Sequence, residues 1–360
     1  MSKIISIATG VPEHKHEQSD LFSFADKVYN DNETDSRKLR FLYRQSGIGS
    51  RYSVAPDFSS SERSFFPDTA DLEPFPTLET RMQWFNKYAS PLSVNVISDC
   101  ISGHIPKNEI THLITVSCTG MSAPGLDLQI MEAMELAPDL VRSSVNFMGC
   151  YAAVHALKLA DAFCDSQPNA NVVIVCTELC TLHFQKEASV DNLTSSLLFG
   201  DGSAAVLVQS DKGQEGLTID SFFSDVSFKG KKEMAWELSS KGFLMTLTGY
   251  VPELIKEDFE GFVQKALDKA GVARSEITDW CIHPGGKKIL EAISGSLQLQ
   301  ENDLKHSYAV LQDYGNMSSP TILFVLQRIM ADAKARGHAK ILGAAFGPGL
   351  TMETFIASYA

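Results

Sequence analysis

Three side chains sit where their types could do chemistry together: Cys150, His283 and Asn316. Cys150 lies in SVNFMGCYAAVHALKLADAF, directly ahead of a run with helical spacing. A thiol at a helix start feels the positive end of the aligned peptide dipoles, which lowers its pKa and favours the nucleophilic thiolate. Gly149 before it permits a tight turn. The alternative is a small, buried, apolar cysteine. His283 ends the apolar stretch DWCIH and precedes Pro-Gly-Gly, which stops a strand and opens a helix. Strand ends beside tight loops are where α/β sheets place functional groups; alternatively, nearby backbone satisfies the ring. Asn316, in LQDYGNMSSPTILFVL, reads as a helix N-cap or as a neutral amide donor facing a site. A thiolate, an imidazole and a carboxamide suit thioester exchange followed by enolate stabilisation, because an uncharged amide adds no negative charge against a developing anion. On this reading Cys150 and His283 rest as a thiolate–imidazolium pair.

Other motifs carry less. Cys176 and Cys180 form one CxxxC without a second pair, so no metal site is expected. AFGPGLT (345–351) is a glycine loop without a Lys or phosphate-loop spacing, which argues against nucleotide binding of that kind. The net charge of −13 argues against nucleic acid as the main partner, since phosphate binding needs clustered Lys and Arg. The seven Cys are odd in number and scattered, mostly within apolar segments, as reduced thiols of a cytoplasmic protein would be. The N-terminal MSKIISIATGVPEHKH lacks the longer apolar region and cleavage site of a signal peptide. No stretch approaches the ~18 apolar residues of a membrane-spanning helix, so no membrane association is expected.

Elements that could position the three residues follow from periodicity. Thr111–Ser117, Asn171–Cys176 and Ala204–Val208 are short, β-branched and bounded by turn residues, as strands are. Leu126–Leu136 and Ala152–Cys164 space their apolar residues three or four apart, as helices do. This alternation predicts an α/β protein. The second half repeats the pattern of the first. THLITVS, through CTGMSAPG, leads into LDLQIMEAM, as ITDWCIH leads through PGG into KKILEAI. NFMGC opens one helix as DYGN opens another, and NANVVIVCTE parallels GHAKILGAAFG. A duplicated unit would bring Cys150 and Asn316 together about a pseudo-twofold axis. The join is expected near Ser210–Glu215, and Asp57–Pro76, rich in Pro, Ser and acids, is expected to be a surface loop.

SVNFMGCYAAVHALKLA, WCIHPGGKKILEAI, YGNMSSPTILFVL, LLFGDGSAAVLV and GAAFGPGLTMET resemble, across nearly the whole chain, the motifs of type III polyketide synthases, the chalcone synthase-like enzymes. GNMSSP with FGPGLT separates that family from β-ketoacyl synthase III enzymes, and VSCTGMSAPGLDLQ is similar to its bacterial branch. The resemblance implies a duplicated, five-layered α-β-α-β-α thiolase-like fold, with halves at 1–212 and 213–360. It implies a homodimer, with neither metal nor organic cofactor. It places nucleophile, histidine and asparagine on Cys150, His283 and Asn316, and a gatekeeper phenylalanine on Phe199. A second gatekeeper phenylalanine of the plant enzymes falls at Met245, their cross-dimer methionine at Ala123, and pocket-lining positions at Cys118 and His183. Of the basic residues that hold coenzyme A, one falls at Lys38, while Phe41 and Gln45 take the places of two others. Arg40, Arg44, Lys287 and Lys288 are nearby candidates to substitute.

The implied function is iterative decarboxylative condensation of malonyl-CoA onto an acyl starter held on Cys150. The starter would arrive on coenzyme A or an acyl carrier protein. Cyclisation to a pyrone, resorcinol or related aromatic would follow. Two alternatives stand beside it: a single-round β-ketoacyl synthase III-like enzyme, and a silent scaffold on the same fold. Met245 in place of a rigid ring, with small residues at Ala123 and Cys118, points to an aliphatic starter, since Met adapts to irregular apolar contours.

Overall fold

The computed structural model describes residues 2–29, 32–60, 63–69, 71–300 and 302–359. Among them, nine strands form one sheet in the order Asp279–Ile282, Ala339–Gly347, Thr351–Tyr359, Leu217–Val226, Ser2–Gly10, Asp201–Ser210, Asn171–Leu179, His112–Ser117 and Val141–Asn146. The order is mirrored about its centre. His112–Ser117 pairs in parallel with Asn171–Leu179, which runs antiparallel to Asp201–Ser210. Asp279–Ile282 likewise pairs in parallel with Ala339–Gly347, which runs antiparallel to Thr351–Tyr359. The halves meet where Lys3 and Ile4 pair with Thr218 and Leu217. The repeat read from the sequence is therefore present in the pairing itself. The first half carries one further edge strand, Val141–Asn146.

The inner strands Asn171–Leu179 and Asp201–Ser210 bury both faces, so their sequences are largely apolar. Val172, Ile174 and Cys176 face a central core with the helices Ala152–Ser166 and Thr321–Arg336. Val173 and Val175 face the outer core, which includes residues of the helices Leu78–Ile101, Val251–Ala270 and Lys287–Leu297. Both central helices touch strands of both halves, which makes them the middle of five layers. Ala152, Ala153, Ala156 and Ala160 are fully buried, and their small side chains let the helix lie between two sheet surfaces.

The expectation of a surface loop over Asp57–Pro76 is met only in part: Ser59, Ser64, Asp68, Thr69, Asp71, Glu73 and Pro74 are exposed, but Asp57 and several apolar residues turn inward, and Ser61, Glu62 and Ala70 lie outside the described residues. Asp57 is buried, and its carboxylate accepts the backbone N–H groups of Ser64, Phe65 and Phe66 at 2.8–3.2 Å. With its amides satisfied, the loop turns inward and packs Phe58 and Phe66 against Phe24 and Phe184. No helix among the described residues is long and apolar enough to cross a membrane.

Candidate active site

The strand Val141–Asn146 ends in a turn in which Phe147 (φ 58°) and Gly149 (φ 79°) both occupy the left-handed region. A tight 3-10 turn, Gly149–Tyr151, then runs straight into the helix Ala152–Ser166. Cys150 thus stands at a helix start, as its sequence setting predicts. The backbone N–H of Gly149 donates to Cys118 Sγ at 3.0 Å, fixing the turn against the end of the neighbouring strand. Cys150 Sγ lies 3.9 Å from Asn316 Oδ1 and 3.8 Å from Ser318 Oγ.

The partners come from the other half. The His283 N–H donates to the Ala344 carbonyl at 2.9 Å, carrying the pairing of strand Asp279–Ile282 one residue further. Asn316 does not cap a helix: Pro320 does that for Thr321–Arg336, four residues on. Instead Asn316 Nδ2 donates to the Gly285 carbonyl at 3.2 Å, and Oδ1 accepts the Ser318 N–H at 2.8 Å. Its carboxamide is therefore oriented at both ends, with the loop after His283 as one anchor. Its backbone forms a parallel bridge with Phe199, through Asn316 N to Leu198 O and Gly200 N to Asn316 O, both at 2.9 Å.

Cys150, His283, Asn316, Phe199 and Met245 line one cavity. It continues into a second, where Cys150, Phe199 and Met245 meet Cys118, Trp236 and Pro348. Burial governs the electrostatics here. It pushes the Cys150 thiol up to about 12, with the nearby Glu178 carboxylate acting in the same direction. It also pushes His283 down to about 3, and neither ring nitrogen of His283 has a hydrogen-bond partner within the protein. Burial thus works against the expected thiolate–imidazolium pair, because walls of Met, Leu, Ile and Phe side chains disfavour either charge.

The remaining expected residues fall in three places. Cys118 is buried beside the Cys150 turn. His183 lines a deeper, mainly apolar pocket that shares Phe199, Met245, Trp236 and Cys180 with the Cys150 cavities. There it accepts the Phe243 N–H at Nδ1 (3.0 Å), which makes Nε2 the donor to the Thr119 carbonyl (2.7 Å), and its ring stacks on Phe243 at 4.3 Å. The bases stand away from the cavity. Lys38 pairs with Asp35 at 2.9 Å, Arg40 lies over the Phe22 ring at 5.1 Å, and Arg44 and Lys288 are exposed. The turn after the helix Glu33–Gln45 meets the loop after His283, since a Cβ on Gly47 would lie 3.3 Å from Lys287 Cδ.

Sequence reasoning missed Ser318 and Glu178. Glu178 is fully buried and joins the two halves: its Oε2 accepts from Cys118 N (2.8 Å) and Thr119 Oγ1 (2.7 Å), and its Oε1 from Ser319 Oγ (2.7 Å). The available signal was an acid closing the apolar strand NVVIVCTEL.

Residues 1–212 match the model of the N-terminal domain of chalcone and stilbene synthases, and residues 222–359 that of the C-terminal domain. The chain is 31% identical to alpha-pyrone synthesis polyketide synthase-like Pks18 of Mycobacterium tuberculosis, over 97% of this chain and 89% of that one. It is 28% identical to probable polyketide synthase 1 of Dictyostelium discoideum, over 98% of this chain but 11% of that much longer protein. Among solved structures, PKS-I of the brown alga Ectocarpus siliculosus superposes with a TM-score of 0.93 at 26% identity, covering 100% and 98% of the two chains. The 1,3,6,8-tetrahydroxynaphthalene synthase of Streptomyces coelicolor A3(2) superposes with a TM-score of 0.89 at 25% identity, covering 99% of each. The chain belongs to the chalcone and stilbene synthase family, the type III polyketide synthases, which are condensing acyltransferases of thiolase-like fold.

Proposed function

We propose that Cys150 carries the acyl chain, that His283 and Asn316 hold the enolate, and that the product is a pyrone, resorcinol or related aromatic. The observation that carries this reading is the convergence of all three side chains on one cavity walled by Phe199 and Met245. A neutral imidazole has one accepting and one donating nitrogen. His283 takes the Cys150 proton as the sulfur attacks the starter thioester, then passes it to the departing coenzyme A thiolate. Malonyl-CoA next loses its carboxylate as CO2. The electron pair of the broken C–C bond stays as an enolate, whose oxygen accepts from His283 and Asn316 Nδ2. The carbanion attacks the Cys150 thioester, a C–C bond forms, and the cysteine thiolate leaves. The lengthened chain then returns to Cys150 for another round. The N–H of Cys150 and one from Gly347–Gly349 serve as oxyanion donors to each tetrahedral intermediate.

Substrates are an acyl-CoA starter, or the same acyl group on an acyl carrier protein, and malonyl-CoA. Lys38, Arg40, Arg44 and Lys288 are assigned to the coenzyme A phosphates; the contact of Gly47 with Lys287 supports this by bringing the turn after the helix Glu33–Gln45 to the start of the helix Lys287–Leu297. Phe199, Met245, Cys118 and His183 shape the pocket, and the apolar space beyond Met245 suits an aliphatic tail. The halves are 1–212 and 213–360. The protein acts as a homodimer, a reading supported by exposed Met121, Leu128 and Val141 on segments flanking the sheet's open edge. A reducing cytoplasm suits seven free cysteines.

The test is incubation with starters on coenzyme A and on carrier protein plus labelled malonyl-CoA, with intact-mass and product analysis. Acylation of wild type but not Cys150→Ala, with products of two or more malonyl units, is expected. An acyl adduct on Cys150→Ala would overturn the nucleophile, and products of a single unit would overturn iteration.

A further inference from the structure

Arg51 lies on the short strand Ser50–Ser53, outside the cavity of Cys150, and is 3% exposed. Its Nη1 donates to the Phe199 carbonyl at 2.5 Å, and its Nε donates to Gln18 Oε1 at 3.0 Å. Gln18 in turn donates from Nε2 to the Leu197 carbonyl at 2.9 Å. One buried pair therefore grips the gatekeeper segment at two successive odd positions, 197 and 199. Between them, the Leu198 carbonyl accepts the Asn316 N–H.

The same arginine backs the asparagine loop. A Cβ on Gly315 would lie 2.7 Å from Arg51 Cδ and 2.8 Å from the Leu198 carbonyl, so Gly315 is pressed between Arg51 and the gatekeeper segment. The strand is also stapled to the chain entering that loop: Ser50 Oγ donates to Asp313 O at 2.9 Å, and Gly49 N donates to Gln312 O at 2.8 Å.

A buried cation is a poor way to gain stability, since apolar groups of the same volume often do as well. Its burial pulls the Arg51 pKa down, with Tyr43 and Asp201 nearby opposing that. What a guanidinium supplies and an apolar group does not is a rigid fork that fixes two acceptors at once. One acceptor here is the backbone of Phe199, which lines the reaction cavity, and the other, Gln18, holds Leu197 two residues before it.

We propose that Arg51 is a positioning residue that, through the Phe199–Asn316 bridge, sets Asn316 for malonyl decarboxylation. The proposal rests on the roles assigned above to Cys150, His283 and Asn316. Arg51 touches no reacting atom. Cys150 hangs from a different segment, the Gly149–Tyr151 turn, so its own backbone is not held by the bridge. Arg51→Lys keeps the charge but offers a single point donor.

The test separates the two half-reactions. For Arg51→Lys, kcat for malonyl-CoA decarboxylation falls roughly 10- to 100-fold, as misplacing a catalytic group by about 1 Å does, with KM nearly unchanged. Single-turnover acylation of Cys150 by acetyl-CoA, which has no tail to fill the pocket that Arg51 lines, stays within about threefold of wild type, a split that general loosening would not give. Gln18→Met, which leaves the arginine in place but removes its second anchor, shows the same split more weakly and serves if Arg51→Lys does not fold. An unchanged decarboxylation kcat in a folded variant, or parallel loss of both half-reactions, overturns the proposal. If wild type neither acylates Cys150 nor decarboxylates malonyl-CoA, the underlying reading of the site is what has failed.

Discussion

Gly149 and Pro348 are in contact so close that a Cβ on the glycine would lie 2.2 Å from the proline Cδ. The contact joins the Cys150 turn of the first half to the glycine loop of the second. Gly149 also holds φ 79°, a conformation that favours glycine. Gly149→Ala therefore meets two obstacles: left-handed strain of about 1–2 kcal/mol and overpacking of about 1–3 kcal/mol. Urea denaturation should show a loss of roughly 2–5 kcal/mol, and condensation should fall further than stability alone accounts for. A variant with wild-type turnover would show that the Gly149–Pro348 contact does not set the oxyanion donors.

Decarboxylation should survive loss of the sulfur. His283 and Asn316 reach the cavity from loops that do not depend on the Cys150 side chain. Cys150→Gln should release CO2 from malonyl-CoA while forming no acyl-enzyme, because an amide fills the thiol's place without attacking a thioester. Radiolabelled CO2 release and intact mass read the two halves separately. If Cys150→Gln releases no CO2 while His283→Gln does, the assigned roles are reversed.

The pH dependence of alkylation follows from burial. With burial pushing the Cys150 thiol up to about 12 and His283 down to about 3, the substrate-free protein should hold neither charge near neutrality. Raising the pH below the thiol pKa multiplies the thiolate fraction about tenfold per unit. Iodoacetamide rate constants should then climb steadily from pH 6 to 9 with no plateau. A flat profile beginning below pH 7 would show that the charged pair forms after all.

Types and spacing carried the three site residues because each stands where a strand or loop stops against a helix, and such junctions leave a mark in sequence. The duplication was legible for the same reason: strand, glycine turn and helix recur in one order, as the mirrored sheet shows. Protonation was not legible, since it depends on which side chains from distant segments close over the sulfur. Nor was the inward path of the loop after Asp57, because its composition is polar and only the carboxylate's three backbone bonds turn its phenylalanines inward. Arg51 reads locally as a surface base beside Tyr52. Its acceptors lie about 150 and 30 residues away, at Phe199 and Gln18, and no local pattern records them.

Met245 is the residue on which starter length should turn. It lies on the strand Gly242–Leu247, is partly buried, and belongs both to the wall of the Cys150 cavity and to the deeper pocket of Phe24, Phe58 and Phe184. With Phe199 and Trp236 it forms the boundary between them, and it is the unbranched member of that set, able to turn aside through its own rotamers. His183 does not block the pocket by moving in, because its ring is held by the Phe243 N–H, the Thr119 carbonyl and the face of Phe243. An aliphatic tail passing Met245 gains about 0.8 kcal/mol per buried methylene, roughly fourfold in affinity for each. Met245→Phe puts a flat, stiff ring in the path. Two or three methylenes excluded from the pocket should lower kcat/KM for lauroyl-CoA by roughly 10- to 50-fold while hexanoyl-CoA changes little. Wild type should prefer both to coumaroyl-CoA, whose rigid ring gains nothing from a flexible wall. Steady-state constants for the three starters on both proteins decide the matter: a wild-type preference for coumaroyl-CoA, or equal losses for long and short chains in Met245→Phe, would place the tail elsewhere.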